Sequence, residues 1–170
     1  WSPQAEVIYT ISDGDGALRV SLCGGPALPL RPEGPNNAVL SVGSLGDIVF
    51  GRALVAEGLR VQFGHADLIF RRVTAEEGGS EAFFASAAGE YWSEDGACRL
   101  VIRSEDGAHR ASFSDGHGAS EVMLEPLNGR LALARRSVGQ LPFAMAFSLQ
   151  TDGGVIISTS RTRFLRFDRV

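Results

Sequence analysis

All sixteen basic residues of this 170-residue chain are arginine, and there is no lysine. That removes three kinds of chemistry at once: Schiff-base formation, lysine in a phosphate-binding loop, and lysine as general base. Serine is abundant, yet no Gly-x-Ser-x-Gly turn occurs to present one as a nucleophile. His65, His109 and His117 have no metal-ligand spacing with each other or with the cysteines, whereas zinc needs three or four converging ligands. We read all three as solvent-facing. Glu76-Glu77 lie in a linker-like stretch and Glu94-Asp95 in a turn, so both pairs read as solvated rather than as general acid and base. Gly24-Gly25 and Gly43-x-x-Gly46 stand among strands and turns, with no helix following to offer its N-terminus to a phosphate. No cofactor and no metal is expected.

Two arginines are more informative. Arg72 and Arg169 share the parity of Leu68/Phe70 and Leu165/Phe167, so each should face the core side near the mouth of its unit. An inward guanidinium needs an aromatic face or backbone carbonyls. We read both as closing residues, with Tyr91, Trp92 or the carbonyls of their strand as partners for Arg169. If Arg169 instead stood free in an open cavity, it would anchor an anionic ligand. Cys23 and Cys98 occupy non-equivalent points of the two units and read as buried or half-buried thiols, with a disulfide between the units as the alternative.

The elements that would carry these residues are written twice. Trp1-Ser2 and Asp15-Gly16-Ala17-Leu18-Arg19-Val20-Ser21 recur as Trp92-Ser93 and Asp106-Gly107-Ala108-His109-Arg110-Ala111-Ser112, while Leu68 to Val73 recurs as Leu165 to Val170. Short apolar runs separated by Gly, Pro, Asn and Asp predict strands and turns throughout. In the second copy they fall at 89–93, 97–104, 108–113, 119–125, 130–136, 143–150, 154–160 and 163–170. Phe143, Met145, Phe147 and Leu149 alternate with Ala144, Ala146 and Ser148, placing the bulky face inward. Eight short hairpin-linked strands favour closure into a barrel, which leaves no edges. The chain therefore divides into a first barrel at 1–73, a linker at 74–88 and a second barrel at 89–170. In the linker, 81–88 predicts one or two helical turns whose Phe83 and Phe84 dock between the units. The fold class is all-β: two tandem antiparallel eight-stranded barrels built on an internal repeat. Gly89-Glu90-Tyr91 precedes the second Trp-Ser and has no counterpart before the first, so the chain reads as a piece of a longer polypeptide.

A net charge of −4 argues against a nucleic-acid partner. The uncharged stretch from Ser137 to Gln150 contains Pro142 and is too short to span a bilayer, so no membrane role is expected. These features fit a soluble protein of bacterial type, cytoplasmic or periplasmic. A homodimer is left open.

The second unit resembles a known family. Ala88-Gly89-Glu90-Tyr91-Trp92-Ser93, Cys98 to Ile102, Asp106-Gly107, Leu124-Glu125-Pro126 and Ser160 to Phe167 are similar to the C-terminal barrel domains of penicillin-recognising serine hydrolases. In tandem the units resemble the middle and C-terminal domains of D-aminopeptidases, which are streptavidin-like or lipocalin-like barrels. The first unit carries the likeness in Leu30-Arg31-Pro32 and Leu68-x-Phe70-x-Arg72. The resemblance implies that the chemistry belongs to a separate catalytic domain of the same polypeptide, with a Ser-x-x-Lys motif that a chain without lysine does not contain. It also implies that these barrels lean on that domain and that a loop of the last one gates the active site. Arg135, Arg136 and Gln140, in the stretch from Arg135 to Leu141, are the residues expected to gate. The resulting expectation is a non-catalytic accessory module. The alternative is a barrel that binds one small molecule, and a third, remoter reading is an independent enzyme.

Overall fold

The structure, a computed structural model, describes residues 1–2, 7–52, 58–74, 79–105, 108–135, 144–159 and 164–170, with the backbone alone at Leu45 and Arg135. The first unit supplies β1 (Tyr9–Gly14), β2 (Ala17–Leu22), β3 (Leu28–Pro29), β4 (Arg31–Glu33), β5 (Asn37–Ser41), β6 (Asp47–Arg52), β7 (Gly58–Phe63) and β8 (Ala66–Arg71). Chain order is sheet order: β1-β2-β3 form one antiparallel sheet and β4-β5-β6-β7-β8 another. The division falls at a single residue, Leu30, which is buried and donates its N–H to the Leu18 carbonyl at 2.8 Å. Pro29 and Pro32 flank it, and neither has an N–H to give to a ladder. A bent meander results, and a second closed barrel is not shown: both sheets of the first unit are open among the described residues.

After helix α1 (Gly79–Ala87) come β9 (Gly89–Ser93), β10 (Cys98–Glu105), β11 (Ala108–Asp115), β12 (Gly118–Pro126), β13 (Leu131–Arg135), β14 (Ala144–Leu149), β15 (Val155–Thr159) and β16 (Leu165–Arg169). These eight strands close an antiparallel barrel in which β16 returns to β9. Side-chain oxygens fix three of the turns. Asp115 accepts from the N–H groups of His117 and Gly118, Asn128 from Arg130 and Leu131, and Asp152 from Gly154. Each such bond satisfies an N–H that the ladder leaves over, which is why Asn and Asp serve as turn residues. Inside the barrel Leu100, Ile102, Ala111, Phe147 and Phe167 are almost wholly buried.

Helix α1 packs against β10, β12 and β14, alternate strands around the ring, and so lies across one barrel opening. Phe83 and Phe84 sit edge to face, 5.2 Å apart, in the second barrel's core cluster rather than between the units as the sequence suggests. A nine-residue helix is too short to be stable alone in water, and this packing holds it.

The units meet on the outer face of β13 and β14. Ala132, Ala134 and Phe147 point into the barrel, while Leu131, Leu133 and Ala146, of opposite parity, join Val7, Ile8, Val20, Cys23, Phe50 and Phe70 of the first unit in one apolar cluster. β13 and β14 are thus buried on both faces. The small residues Ala144, Ala146 and Ser148 let the partner sheet approach, and an added Cβ at Gly24 would touch the Ala144 Cβ at 3.7 Å.

Candidate functional site

The most organised polar group lies where the barrel closes. In the register of β9 with β16, Tyr91 pairs Arg169 and Trp92 pairs Asp168. The Arg169 guanidinium lies 5.6 Å from the Tyr91 ring centroid. Its Nη2 donates to the Ala88 carbonyl at 2.5 Å and, more weakly, to the Ser86 carbonyl at 3.4 Å. These are carbonyls at the end of α1, where the helix leaves acceptors unpaired and its dipole favours a cation. Tyr91, wholly buried, donates its hydroxyl to the Ala87 carbonyl at 2.7 Å. Burial pushes the phenol above its ordinary value, and nearby Arg169 pulls the other way. Glycine suits position 89 beside this group, because its φ of 153° is one that other residues rarely adopt and a Cβ there would come within 2.9 Å of Arg169 Nη2. Helix end, first strand and last strand are therefore tied by one arginine. Trp92 is exposed on the other side of the strand.

The first unit repeats part of this arrangement. The Trp1 amino group donates to the Arg71 carbonyl at 2.9 Å, and the Arg71 N–H donates to the Trp1 carbonyl at 2.8 Å. Ser2 bridges Val7. Counted along the repeat, these are the pairings of Trp92 with Asp168 and of Ser93 with Cys98. Trp1 and Ser2 therefore stand where β9 stands in the second unit. Burial lowers the pKa of the Trp1 amino group, and the Trp1 indole N–H is buried with no acceptor among the described residues. Arg72, the counterpart of Arg169, is exposed and makes no hydrogen bond or ion pair among the described residues. It lines a recess of about 290 Å³ together with Trp1, Val73, Asn128, Arg130 and Ser148.

Of the residues expected to gate, Arg136 and Gln140 lie outside the described residues. Arg135 ends β13 opposite Met123 and Ala144. His65 and His117 are exposed, as are Glu94 and Asp95, whereas Glu76 and Glu77 lie outside the described residues. His109 differs from expectation. Its ring stacks on Phe84 at 3.4 Å and 12°, and its Nδ1 is buried without a partner among the described residues. The cause is α1, which lays Phe84 over β11 at a position where the first copy of the repeat has Leu18. Cys23 and Cys98 are both thiols. Burial, helped by the charge of Asp115, raises the Cys98 pKa, the opposite of what a nucleophilic cysteine needs.

Sequence reading did not single out the buried serines, and they serve turns and loops. Ser93 Oγ accepts from the Gly96 N–H at 3.2 Å, and Ser158 Oγ accepts from the Phe164 N–H at 3.3 Å, which helps hold Phe164 at a φ of 60°. Neither reading of charge nor of motif isolates Glu121 either, although it accepts from Arg110 at 2.5 Å, Arg103 at 3.0 Å and Ser112 at 3.1 Å across three strands. Period-two parity from Arg103 to Arg110 and Ser112 would have found it. The Arg110 and Ser112 bonds, then the Arg103 bond, hold its carboxyl below the usual value. The cluster is half-exposed and holds its own charges, so it is a cross-strand tie rather than an acid–base pair.

Among the described residues no group of three or more His, Cys, Asp or Glu could hold a metal ion, and no helix is long and apolar enough to cross a membrane. A second recess, of about 500 Å³, opens in the first unit between Ile11, Leu18, Leu30, Phe50 and Leu59. The chain matches no known family, no curated protein and no solved structure in the comparisons made.

Proposed function

We propose that this chain is a non-catalytic accessory module of a serine hydrolase of the β-lactamase and D-aminopeptidase type, bracing the catalytic domain of the same polypeptide and gating its active site. The observation that carries this reading is the use made of the polar group where the barrel closes. Arg169 and Tyr91 are spent on helix carbonyls and strand closure, with the barrel interior behind them filled by Phe83, Phe147 and Phe167. Side chains so committed hold a scaffold rather than a reacting group. The lysine-free composition supports the same reading, since a Ser-x-x-Lys nucleophile needs a lysine. In this view the first unit follows the plan of a streptavidin-like or lipocalin-like barrel.

Two measurements test it. The purified chain should neither hydrolyse a D-amino-acid amide nor become acylated by a β-lactam, and a serine adduct in the intact mass would overturn the accessory reading. In the polypeptide that includes the hydrolase domain, replacing residues 136–141 by a short Gly/Ser turn should alter the ratio of kcat/KM for large and small substrates. An unchanged ratio refutes gating.

A second reading, a small-molecule-binding module, is favoured by the recess in the first unit, whose volume lies within the range of ligand pockets, roughly 300–1,000 Å³. An apolar fluorescent probe should then bind the chain and be expelled by Leu30→Arg. Failure to bind in the wild-type chain removes this reading.

A further inference from the structure

We propose that the outer face of β9, centred on Trp92, is a pairing surface for a second copy of this chain, related to the first by a two-fold axis that runs along β9. Around the closed barrel β9 stands four strands from β13 in either direction, so its outer face lies opposite the wall that the first unit covers. Trp92 is 45% exposed on that face, and its indole makes no ring contact or hydrogen bond among the described residues. Tryptophan and arginine are the side chains that most often anchor protein interfaces.

The charges around the indole fit a copy of themselves. Arg99 of β10 and Asp168 of β16 are the register partners of Trp92 on its two sides. Cation, indole and anion therefore form one row on one face of three strands, with neighbouring strands about 4.8 Å apart. Each charge uses only part of its bonding capacity within the chain. Arg99 donates from Nη2 to Glu90, and Arg166 donates to Asp168 Oδ1, which leaves Arg99 Nε and Nη1 and Asp168 Oδ2 open among the described residues. The two side chains are 51% and 67% exposed. A two-fold axis along β9 lays this row on itself in reverse order. Indole then meets indole, and Arg99 of each copy meets Asp168 of the other. An axis across the strands would set arginine on arginine and aspartate on aspartate, so the row selects the first. Glu90, which also lies on the axis, is neutralised by Arg99. A self-complementary contact of this kind closes at two copies and does not propagate. The barrel wall is convex, which keeps the contact below the roughly 1,200 Å² of standard interfaces and makes the pair weak and concentration-dependent.

Sedimentation velocity of the purified chain over a series of concentrations should show a monomer–dimer equilibrium that weakens as salt is raised. Arg99→Asp and Asp168→Arg should each weaken pairing on the order of tenfold or more, because like charges then face each other. Mixing those two variant chains should restore pairing, since each supplies the charge that the other lacks, and a misfolded variant would not do so. Trp92→Ser should weaken pairing on the order of tenfold while leaving the urea transition of the dilute monomer unchanged. The proposal fails if the wild-type chain stays monomeric throughout the series, if the mixed variants do not pair, or if Trp92→Ser pairs as the wild type does. In the polypeptide that includes the hydrolase domain, a monomer whose Trp92 resists N-bromosuccinimide in peptide mapping would assign the face to that domain and overturn the pairing as well. The hydrolase reading stands or falls separately, because none of these measurements reads activity.

Discussion

Arg169 and Arg72 occupy the same place in the repeat, yet among the described residues only the first makes hydrogen bonds, so their substitution should separate position from contact. Arg169→Gln should cost about 1–2 kcal/mol, since it loses charge-assisted bonds to helix carbonyls and a cation over Tyr91. Arg72→Gln should cost roughly 0–0.5 kcal/mol, the usual range for a surface change away from such features. Urea denaturation of both variants checks this. Tyr91 gives the pH-dependent case. Its phenol is raised above the ordinary value of 10.0 by burial. A group whose folded pKa is raised stabilises fully below the unfolded pKa and loses that contribution as pH rises through the folded pKa. Stability should therefore fall above pH 10, and Tyr91→Phe should flatten that fall while costing about 1 kcal/mol for the bond to Ala87. Glu121 works in the opposite direction. Its carboxyl is held below 4.5 chiefly by Arg110, so the stability it gives is present above pH 4.5 and is lost as pH falls through its folded value. Its carboxylate resonance should titrate below the ordinary glutamate value, and Arg110→Gln should bring it back up.

At the scale of elements, α1 is a plug. Phe83→Ala should destabilise by about 3–5 kcal/mol through lost transfer and a cavity, measured by the same urea transitions. The second unit's strands were legible in the sequence because turn chemistry and strand parity agree there. Asn128-Gly129 and Asp152-Gly153-Gly154 form turns where expected, and each observed strand lies within about two residues of its expected limits. Period two also oriented Phe147 and Leu149 correctly. Three features were not legible, each for a physical reason. The split at Leu30 depends on which N–H groups Pro29 and Pro32 remove from a ladder, and propensity alone does not show that. The docking of Phe83 and Phe84 onto one barrel depends on tertiary contacts of a helix too short to declare its own face. His109 took an aliphatic position in the repeat, and only the presence of Phe84 above it turns that substitution into a stacked pair. Of the candidate site, Arg169 with Tyr91 could be inferred from parity, whereas the helix carbonyls it binds could not.

For the whole molecule, Leu131, Leu133 and Ala146 share one apolar cluster with the first unit, so the two units are expected to unfold together. Ala146→Leu should overpack this contact at a cost of about 1–3 kcal/mol. Calorimetry of the wild type should show one transition, and Leu131→Ser with Leu133→Ser should resolve two, the first unit melting lower. A single unchanged transition in that double variant would mean the units are coupled elsewhere. The doubly buried strands also bear on how the chain is made. Translation delivers the first unit whole, with Val7, Val20 and Phe70 waiting for a surface that is not synthesised until residue 146. At roughly 5–20 residues per second, that unit stays uncovered on the ribosome for roughly 4–15 s. A chaperone that shields nascent apolar faces should therefore be needed for the first unit and dispensable for the second.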